Sequence, residues 1–552
     1  MLVQIKDRKY SSFSYCPPFE TDPPHPFLHK LFHGDEIIYH ESQNLIKITH
    51  SPTRSARYLA GVLNLQSNLT YGRTPNLKRL YYSCTPYKKE LPIFLVPYDI
   101  TLSFQKTPLN KFVLFRFDHW TEKDKHPYGS LVETVGDVDI LEAYYEYQLF
   151  AKYVRRKVVK LKIDFSIDPH IQSILQNPER FGIFEDRRRS PIPIFSIDPQ
   201  GCTDRDDALS IMKTEDPNIF HISVYIANVW VWLEFFQLWH LLRETVASTI
   251  YLPDKNRLML PASLTETVCS LDKNKSCLAI VMDFEVNIKD KTIQVLKTTQ
   301  TCIYVHNYDY ESKLLLWKNP NYQLLLNTTR ELDSKIGDSH DVVAYWMMQM
   351  NIHMAKSLYD KKIGIFRTAI SSREPEPETD TNPDIPFLRI WEQRISGEYI
   401  GYDPSKPFDD YQHCILDTPI YTHFTSPIRR MVDLVNQIVW VGKYDLEEMR
   451  ETESGTFIEK INRESKDIRK IQNECELLHA LQHIETTEIV EGIVLQLDSE
   501  RKKYTIYLPK YKGIVSCKEN RELKKGEKVN CSIFLFQRED DTKRKIKIQI
   551  IY

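Results

Sequence analysis

Four aspartates fall within ten residues of the segment SIDPQGCTDRDDALSI: Asp198, Asp204, Asp206 and Asp207. Carboxylates this close repel one another unless cations neutralise them. An all-oxygen donor set suits Mg²⁺, with Mn²⁺ as the alternative, rather than zinc. Pro199 and Gly201 allow a sharp turn after the first aspartate, so the loop can fold back and converge all four carboxylates on one point. Two cations about 3.5 to 4 Å apart would then activate water and stabilise the leaving oxygen of a phosphodiester. The DxDxDG register of a calcium loop is missing, and strand-like apolar runs pin both ends of the segment.

A second constellation is YTHFTSPIRRMVDLVNQI, residues 421–438. Ser426 is predicted as a helix N-cap and Pro427 as the first helical residue, with Ile428, Met431, Val432, Leu434, Val435, Ile438 and Val439 on one apolar face. The first amides of that helix, with Arg429 and Arg430, make a site for a phosphate group. Two adjacent arginines in a first turn oppose the helix dipole, and an anionic ligand resolves the conflict. Together the two segments point to metal-assisted phosphodiester hydrolysis.

The rest of the chain must position these residues. At 552 residues it is long enough for about three or four domains. Lys+Arg 73 against Asp+Glu 75 leaves a net charge of -2, so nucleic-acid binding has to come from local patches. The ten cysteines are scattered with no CxxC pair, which argues against a disulfide scaffold or zinc ribbon and for reduced thiols in the cytoplasm or nucleus. No secretory signal and no apolar run near the roughly 18 residues of a membrane span are present, so no membrane partner is expected. The P-loop GxxxxGK[ST] is absent, which excludes a P-loop ATPase.

Residues 1–165 alternate short apolar runs with turn residues, as in Glu36-Ile-Ile-Tyr39 and Lys111-Phe-Val-Leu-Phe-Arg-Phe117, the pattern of small all-β barrels. Two are expected, over 1–85 and 86–165. A basic run (Lys152, Arg155, Arg156, Lys157, Lys160, Lys162) fits either a solvated helix face or a wall that tracks phosphates. After a linker at 166–190, residues 191–484 mix strand-like and helix-period segments into an α+β core, interrupted by a Pro- and acid-rich loop over 371–386. Residues 485–552 return to β alternation with 15 Lys+Arg against 11 Asp+Glu, as in an OB-type RNA-binding barrel.

The two signature segments, Asp198-Pro-Gln-Gly-Cys-Thr-Asp204-Arg-Asp206-Asp207 and Pro419-Ile-Tyr-Thr-His-Phe-Thr-Ser-Pro-Ile-Arg-Arg430, resemble those of the ribonuclease II/ribonuclease R (RNB) superfamily, nearest its eukaryotic exosome-type branch. Thr249-Ile-Tyr-Leu-Pro253, Met259-Leu-Pro261 and Val268-Cys-Ser-Leu271 resemble the family's intervening blocks in order and spacing. His33-Gly-Asp35 and the stretch from Phe117 to Glu142, with Trp120, Pro127, Gly129 and Gly136, resemble its cold-shock barrels, and Tyr507-Leu-Pro-Lys-Tyr511 its C-terminal barrel.

The resemblance implies a multidomain fold, with an α+β RNB catalytic core flanked by small all-β OB/cold-shock-type barrels. It also implies a processive 3'-to-5' exoribonuclease that threads single-stranded RNA through a channel and releases nucleoside 5'-monophosphates. Asp198 and Asp207 would bind the metal, Asp206 would matter most for turnover, and Asp204 would complete the set of ligands. Arg429 would hold the scissile phosphate. Tyr251 would stack on a base, with Arg430, Ser426 and Tyr308 near the RNA. A monomer is expected. Tethering to an exosome is not, since no nuclease domain of the kind that precedes the exosome subunit's barrels fits before the first barrel. Four positions depart from the family's pattern: Asn228 for Asp, Ala369 for His, Met431 for Tyr and Gln437 for His. The alternative is an inactive RNA-binding pseudoenzyme of the same fold.

Overall fold

The computed structural model describes residues 1–18, 23–40, 45–76, 78–100, 108–155, 161–163, 167–370, 396–442, 456–482, 489–498, 503–511, 513–536 and 545–551. Half of the basic run (Arg156, Lys157 and Lys160) and the whole loop predicted at 371–386 lie outside them. The chain divides into two units, Met1–Arg155 with Leu252–Asp254 and Lys470–Tyr552, and Arg156–Tyr251 with Lys255–Arg469.

The first unit holds three antiparallel sheets. Strands β1 (Leu2–Ile5), β2 (Phe13–Cys16), β3 (Glu36–His40) and β4 (Leu45–His50) run in the order β2-β1-β3-β4. Strands β5 (Leu59–Leu63), β6 (Leu80–Pro86), β7 (Phe94–Tyr98), β8 (Lys111–Phe117) and β9 (Gly129–Asp137) form a five-stranded sheet in the order β7-β6-β5-β8-β9. The barrel division predicted at residue 85 therefore falls inside β6. The first sheet ends at His50, because β5 and β6 carry cross-strand partners on the second. Val3, Ile5, Phe32, Phe94, Val113, Phe115 and Trp120 share one apolar core.

The His33-Gly-Asp35 motif turns out to be structural. Buried Asp35 accepts from the Ser51 hydroxyl (2.5 Å), the Phe32 amide (2.9 Å) and Arg54 Nη1 (2.7 Å), and the Arg54 guanidinium lies over the Phe32 ring.

The second unit is built on a seven-stranded mixed sheet. Its strands are β10 (Ile183–Asp186), β11 (Phe195–Asp198), β12 (Asp207–Lys213), β13 (Ile219–Ala227), β16 (Cys277–Asn287), β17 (Thr292–Ile303) and β18 (His306–Asp309), in the order β10-β17-β16-β13-β12-β11-β18. Between β13 and β16 lies the short pair β14 (Ile250–Tyr251) and β15 (Asn256–Arg257). The predicted linker at 166–190 is instead ordered into helices Ile167–Gln176 and Pro178–Phe181 and edge strand β10, which pairs in parallel with β17. Its apolar residues Ile171, Ile174, Phe181 and Ile183 are buried in the core of this unit. Val342–Tyr359, read as a helix from its periodicity, is one: Ser339–Asp360 starts at a reciprocal cap between Asp338 and Asp341. A β-hairpin, β19 (Ile365–Ile370) with β20 (Ser396–Gly401), completes the unit.

The C-terminal sheet of the first unit has β21 (Ile489–Asp498), β22 (Lys503–Leu508), β23 (Gly513–Lys518), β24 (Lys528–Phe536) and β25 (Lys545–Ile551), in the order β23-β22-β21-β24-β25. These elements make an α+β core accompanied by antiparallel β modules, the architecture expected. No described helix is long and apolar enough to cross a membrane.

One glycine tests how closely the second sheet is packed. A Cβ on Gly61 would lie 2.8 Å from Cys84 Sγ and 2.9 Å from the Thr85 carbonyl. Gly61→Ala is expected to cost about 1 to 3 kcal/mol through overpacking and so to lower Tm in a thermal melt; an unchanged Tm would contradict this packing.

Candidate active site

Antiparallel pairing of Phe195 with Leu209 sets the end of β11 beside the start of β12, so Asp198 and Asp207 emerge at one edge of the sheet with residues 199–206 looping between them. The loop begins with the predicted turn: the Cys202 amide donates to the Pro199 carbonyl (3.1 Å), and Gly201 takes φ +76°, a conformation glycine reaches without a Cβ penalty. Asp198 Oδ2 accepts from the Ser196 hydroxyl (2.7 Å), and Arg205 Nε lies 3.5 Å from the same oxygen. Asp204 is partly exposed and receives the Cys202 thiol at 3.6 Å.

Asp206 behaves differently. It is 3% exposed; its Oδ1 accepts from the Ile428 amide (2.9 Å) and its Oδ2 from Arg429 Nε (3.0 Å), while its main-chain carbonyl accepts from the Ala227 amide (2.8 Å). Arg429 also donates to the Tyr251 hydroxyl. Held at those two points, the Arg429 side chain is still 45% exposed, so part of its donor fork faces solvent.

The helix predicted from Pro427 begins instead at Met431 and runs to Trp440. Residues 427–430 form a separate turn, in which the Arg429 and Arg430 amides reach back to the Ser426 carbonyl. Arg430 is extended (φ -134°, ψ 128°) because its neighbours pair with another strand: the Thr249 amide donates to the Arg429 carbonyl and the Met431 amide to the Ala247 carbonyl. Arg429 thus lies outside the helix, and its opposition to the helix dipole does not arise. Nor is the Ile428 amide left for a ligand, since Asp206 uses it. Arg430 and buried Ser426, both expected at the RNA, partner each other: Arg430 Nη2 donates to the Ser426 hydroxyl (3.0 Å) and to Asp433 (3.1 Å).

Burial sets the charges. It pushes Asp206 up to about 7, against the pull of Arg429. Asp198 and Asp207 also sit above the usual carboxylate range, through burial first and, for Asp207, through the neighbouring charges of Asp198 and Asp206. The Asp207 carboxylate accepts no hydrogen bond from a described residue, and Asp198 keeps one oxygen uncommitted. Buried acids without enough donors are what a hard cation satisfies, so Asp198, Asp204 and Asp207 fit Mg²⁺ or Mn²⁺. The convergence expected of all four is not reached: among the described residues no three acidic, His or Cys side chains already surround one point, and Asp206 is turned to Arg429.

Two tyrosines flank the cluster. Tyr308, the predicted one, lies on β18 opposite Ile197 with its ring edge toward Phe195, and lines a cleft of about 480 Å³ with Arg205, Asp272, Lys273 and Asn307. Tyr310, which sequence reasoning missed, is the one whose hydroxyl feels Asp207 and Asp198; it stacks on His340 at 3.6 Å. It lies just past the end of β18, where its amide donates to the Asp198 carbonyl (3.1 Å), and its place two residues after Tyr308 in NYDYES was the available signal.

The four family departures are all buried. Asn228 donates to Gln300 Oε1 (2.8 Å), and Gln437 donates to the Ala227 carbonyl (2.9 Å). Neutral amides suit this apolar position beside β13, where an aspartate would lack a cation. Met431 belongs to the apolar core of this unit, and Ala369 pairs through its main chain with Gln412 and Cys414.

Residues 186–312 and 394–440 match the RNB domain, and residues 81–150 the Dis3-like cold-shock domain 2. The mouse (Mus musculus) exosome complex exonuclease RRP44 is 25% identical over 405 residues, which is 58% of this chain and 41% of that protein; the chain thus spans about two fifths of the length of such relatives. Among solved structures, the chain is similar to Mycoplasma genitalium RNase R in complex with ribose-methylated single-stranded RNA, with a TM-score of 0.65 and 14% identity over 94% of this chain and 95% of that one. It is similar also to yeast Ssd1, a pseudonuclease, with a TM-score of 0.58 and 15% identity over 88% and 68%.

The raised carboxyls give stability a definite pH dependence. A carboxyl whose folded pKa lies above its unfolded value favours the protonated protein, so without divalent cations stability falls as pH rises from about 4 to about 8. Melts in EDTA should show Tm dropping across this window and Mg²⁺ recovering it at the upper end; a Tm blind to Mg²⁺ at every pH would contradict the assignment.

Proposed function

We propose that the chain, which matches the RNB domain over residues 186–312 and 394–440, is a member of the ribonuclease II/ribonuclease R superfamily and a processive, hydrolytic 3'-to-5' exoribonuclease that degrades single-stranded RNA to nucleoside 5'-monophosphates. The observation that carries the reading is Arg429, braced by Asp206 and Tyr251 beside carboxylates that lack donors.

Asp206 acts as the anchor. Its buried carboxylate fixes Arg429 Nε and leaves the other guanidinium N–H groups for the non-bridging oxygens of the scissile phosphate, where charge grows during attack. Mg²⁺ or Mn²⁺ held by Asp198, Asp204 and Asp207 would supply an activated water and a Lewis acid. The half-exposed Tyr251 ring offers a π-face to the base beside that phosphate, an interaction that tolerates any base. The basic C-terminal module adds sequence-independent contacts to the RNA backbone.

A second reading, RNA binding without cleavage, is favoured by the likeness to Ssd1. Retention of four aspartates and a braced arginine favours cleavage.

The test is a time course on 5'-labelled single-stranded RNA with Mg²⁺. The intact protein is expected to shorten it from the 3' end, and Asp206→Asn, which frees Arg429, to lose about 10²-fold or more in rate while still binding. Binding with no cleavage by the intact protein would replace the exoribonuclease with the pseudoenzyme.

A further inference from the structure

The acidic loop carries its own cation. Arg205 sits between Asp204 and Asp206, with its Nε 3.5 Å from Asp198 Oδ2, buried and without a hydrogen-bond partner. The residue is fixed on three sides. Its amide donates to the Ser270 hydroxyl (3.0 Å), its carbonyl accepts from the Leu271 amide (3.0 Å), and its Nη1 donates to Asp272 Oδ1 (2.5 Å). Asp272 does not cancel the arginine, because Lys275 pairs with its other oxygen at 2.8 Å. The charge of Arg205 is therefore left to Asp198. Glu266, which accepts from the Thr203 hydroxyl (3.3 Å), is the further acid at this loop, and it is exposed and screened by water.

Charge then limits how many ions the site takes. Four carboxylates set against Arg205 on Asp198 and Arg429 on Asp206 leave two negative charges, which one divalent ion cancels. A second ion would leave the RNA-free site at +2 in a half-buried setting, where like charges repel strongly. We propose that Arg205 takes the electrostatic place of a second metal, so that the RNA-free protein binds one divalent cation where the four aspartates alone would call for two. Arg205 is thus a positioning residue that sets metal stoichiometry. This rests on the reading of the aspartates as a metal site for RNA cleavage.

Electron paramagnetic resonance of Mn²⁺ titrated into the full RNA-free chain counts the ions directly, taking only those lost in Asp198→Asn. Wild type is expected to hold one, and so is Arg205→Lys, which keeps the charge; Arg205→Met carries three negative charges with Arg429 still in place, so one ion leaves it at -1 and it is expected to take up a second. Two ions on the wild type, or one on a folded Arg205→Met, overturns the proposal. Should Arg205→Met fail to fold, the wild-type count still decides. Two ions on a wild type that cleaves RNA sinks this inference alone; no ions and no cleavage sinks the exoribonuclease reading with it.

Discussion

A carboxylate placed in the interior needs donors, and the second unit is organised around meeting that need at Asp206. The residue sits just before β12 and is almost wholly shielded from water. Its two oxygens must be met by groups from elsewhere in the chain, and the turn at 427–430 supplies both. That requirement keeps the turn distinct from the helix that follows. A helix continuous from Pro427 would commit the Ile428 region to a regular spiral and remove Arg430 from its pairing with the 247–249 segment. Much of the active-site geometry follows from avoiding an unpaired buried charge.

The same chemistry appears in the first unit with the opposite outcome. Asp35 is as buried as Asp206 and is likewise met by a backbone amide and an arginine. Arg54, however, spends its remaining donors on the Ser51 hydroxyl and the Lys30 carbonyl, and its flat face on aromatic rings. It is a structural cation, with both terminal nitrogens bonded within the protein. Arg429 makes two contacts and keeps the rest of its fork in water. The two arginines differ in how many donors are unspent.

How much of this was legible in the sequence depended on the range of the interaction. Local rules worked: β8 coincides with Lys111–Phe117, the Pro199–Cys202 turn has its glycine at the positive-φ position, and the helix-period segment Val342–Tyr359 lies within the helix Ser339–Asp360. The aspartate cluster was visible because its members are close in sequence. Errors came where a distant segment overrode a local preference. Ser-Pro is a strong helix start, yet pairing with Ala247–Thr249 moved the start four residues on. The barrel division expected at residue 85 falls within β6, which pairs with β5 some twenty residues earlier. The burial of Asp206 against Arg429, and the tether from Arg205 to Asp272, involve separations that no spacing rule reads.

The link between Asp206 and Ile428 spans 222 residues. Closing so large a loop is entropically costly, and native pairing of this kind forms late in folding. Synthesis at about 5 to 20 residues per second separates the appearance of the acidic loop from that of Arg429 by roughly 10 to 45 s. During that interval a nascent chain has the four aspartates without the turn that meets Asp206, and a prematurely terminated chain that lacks the second segment has the acids without Arg429.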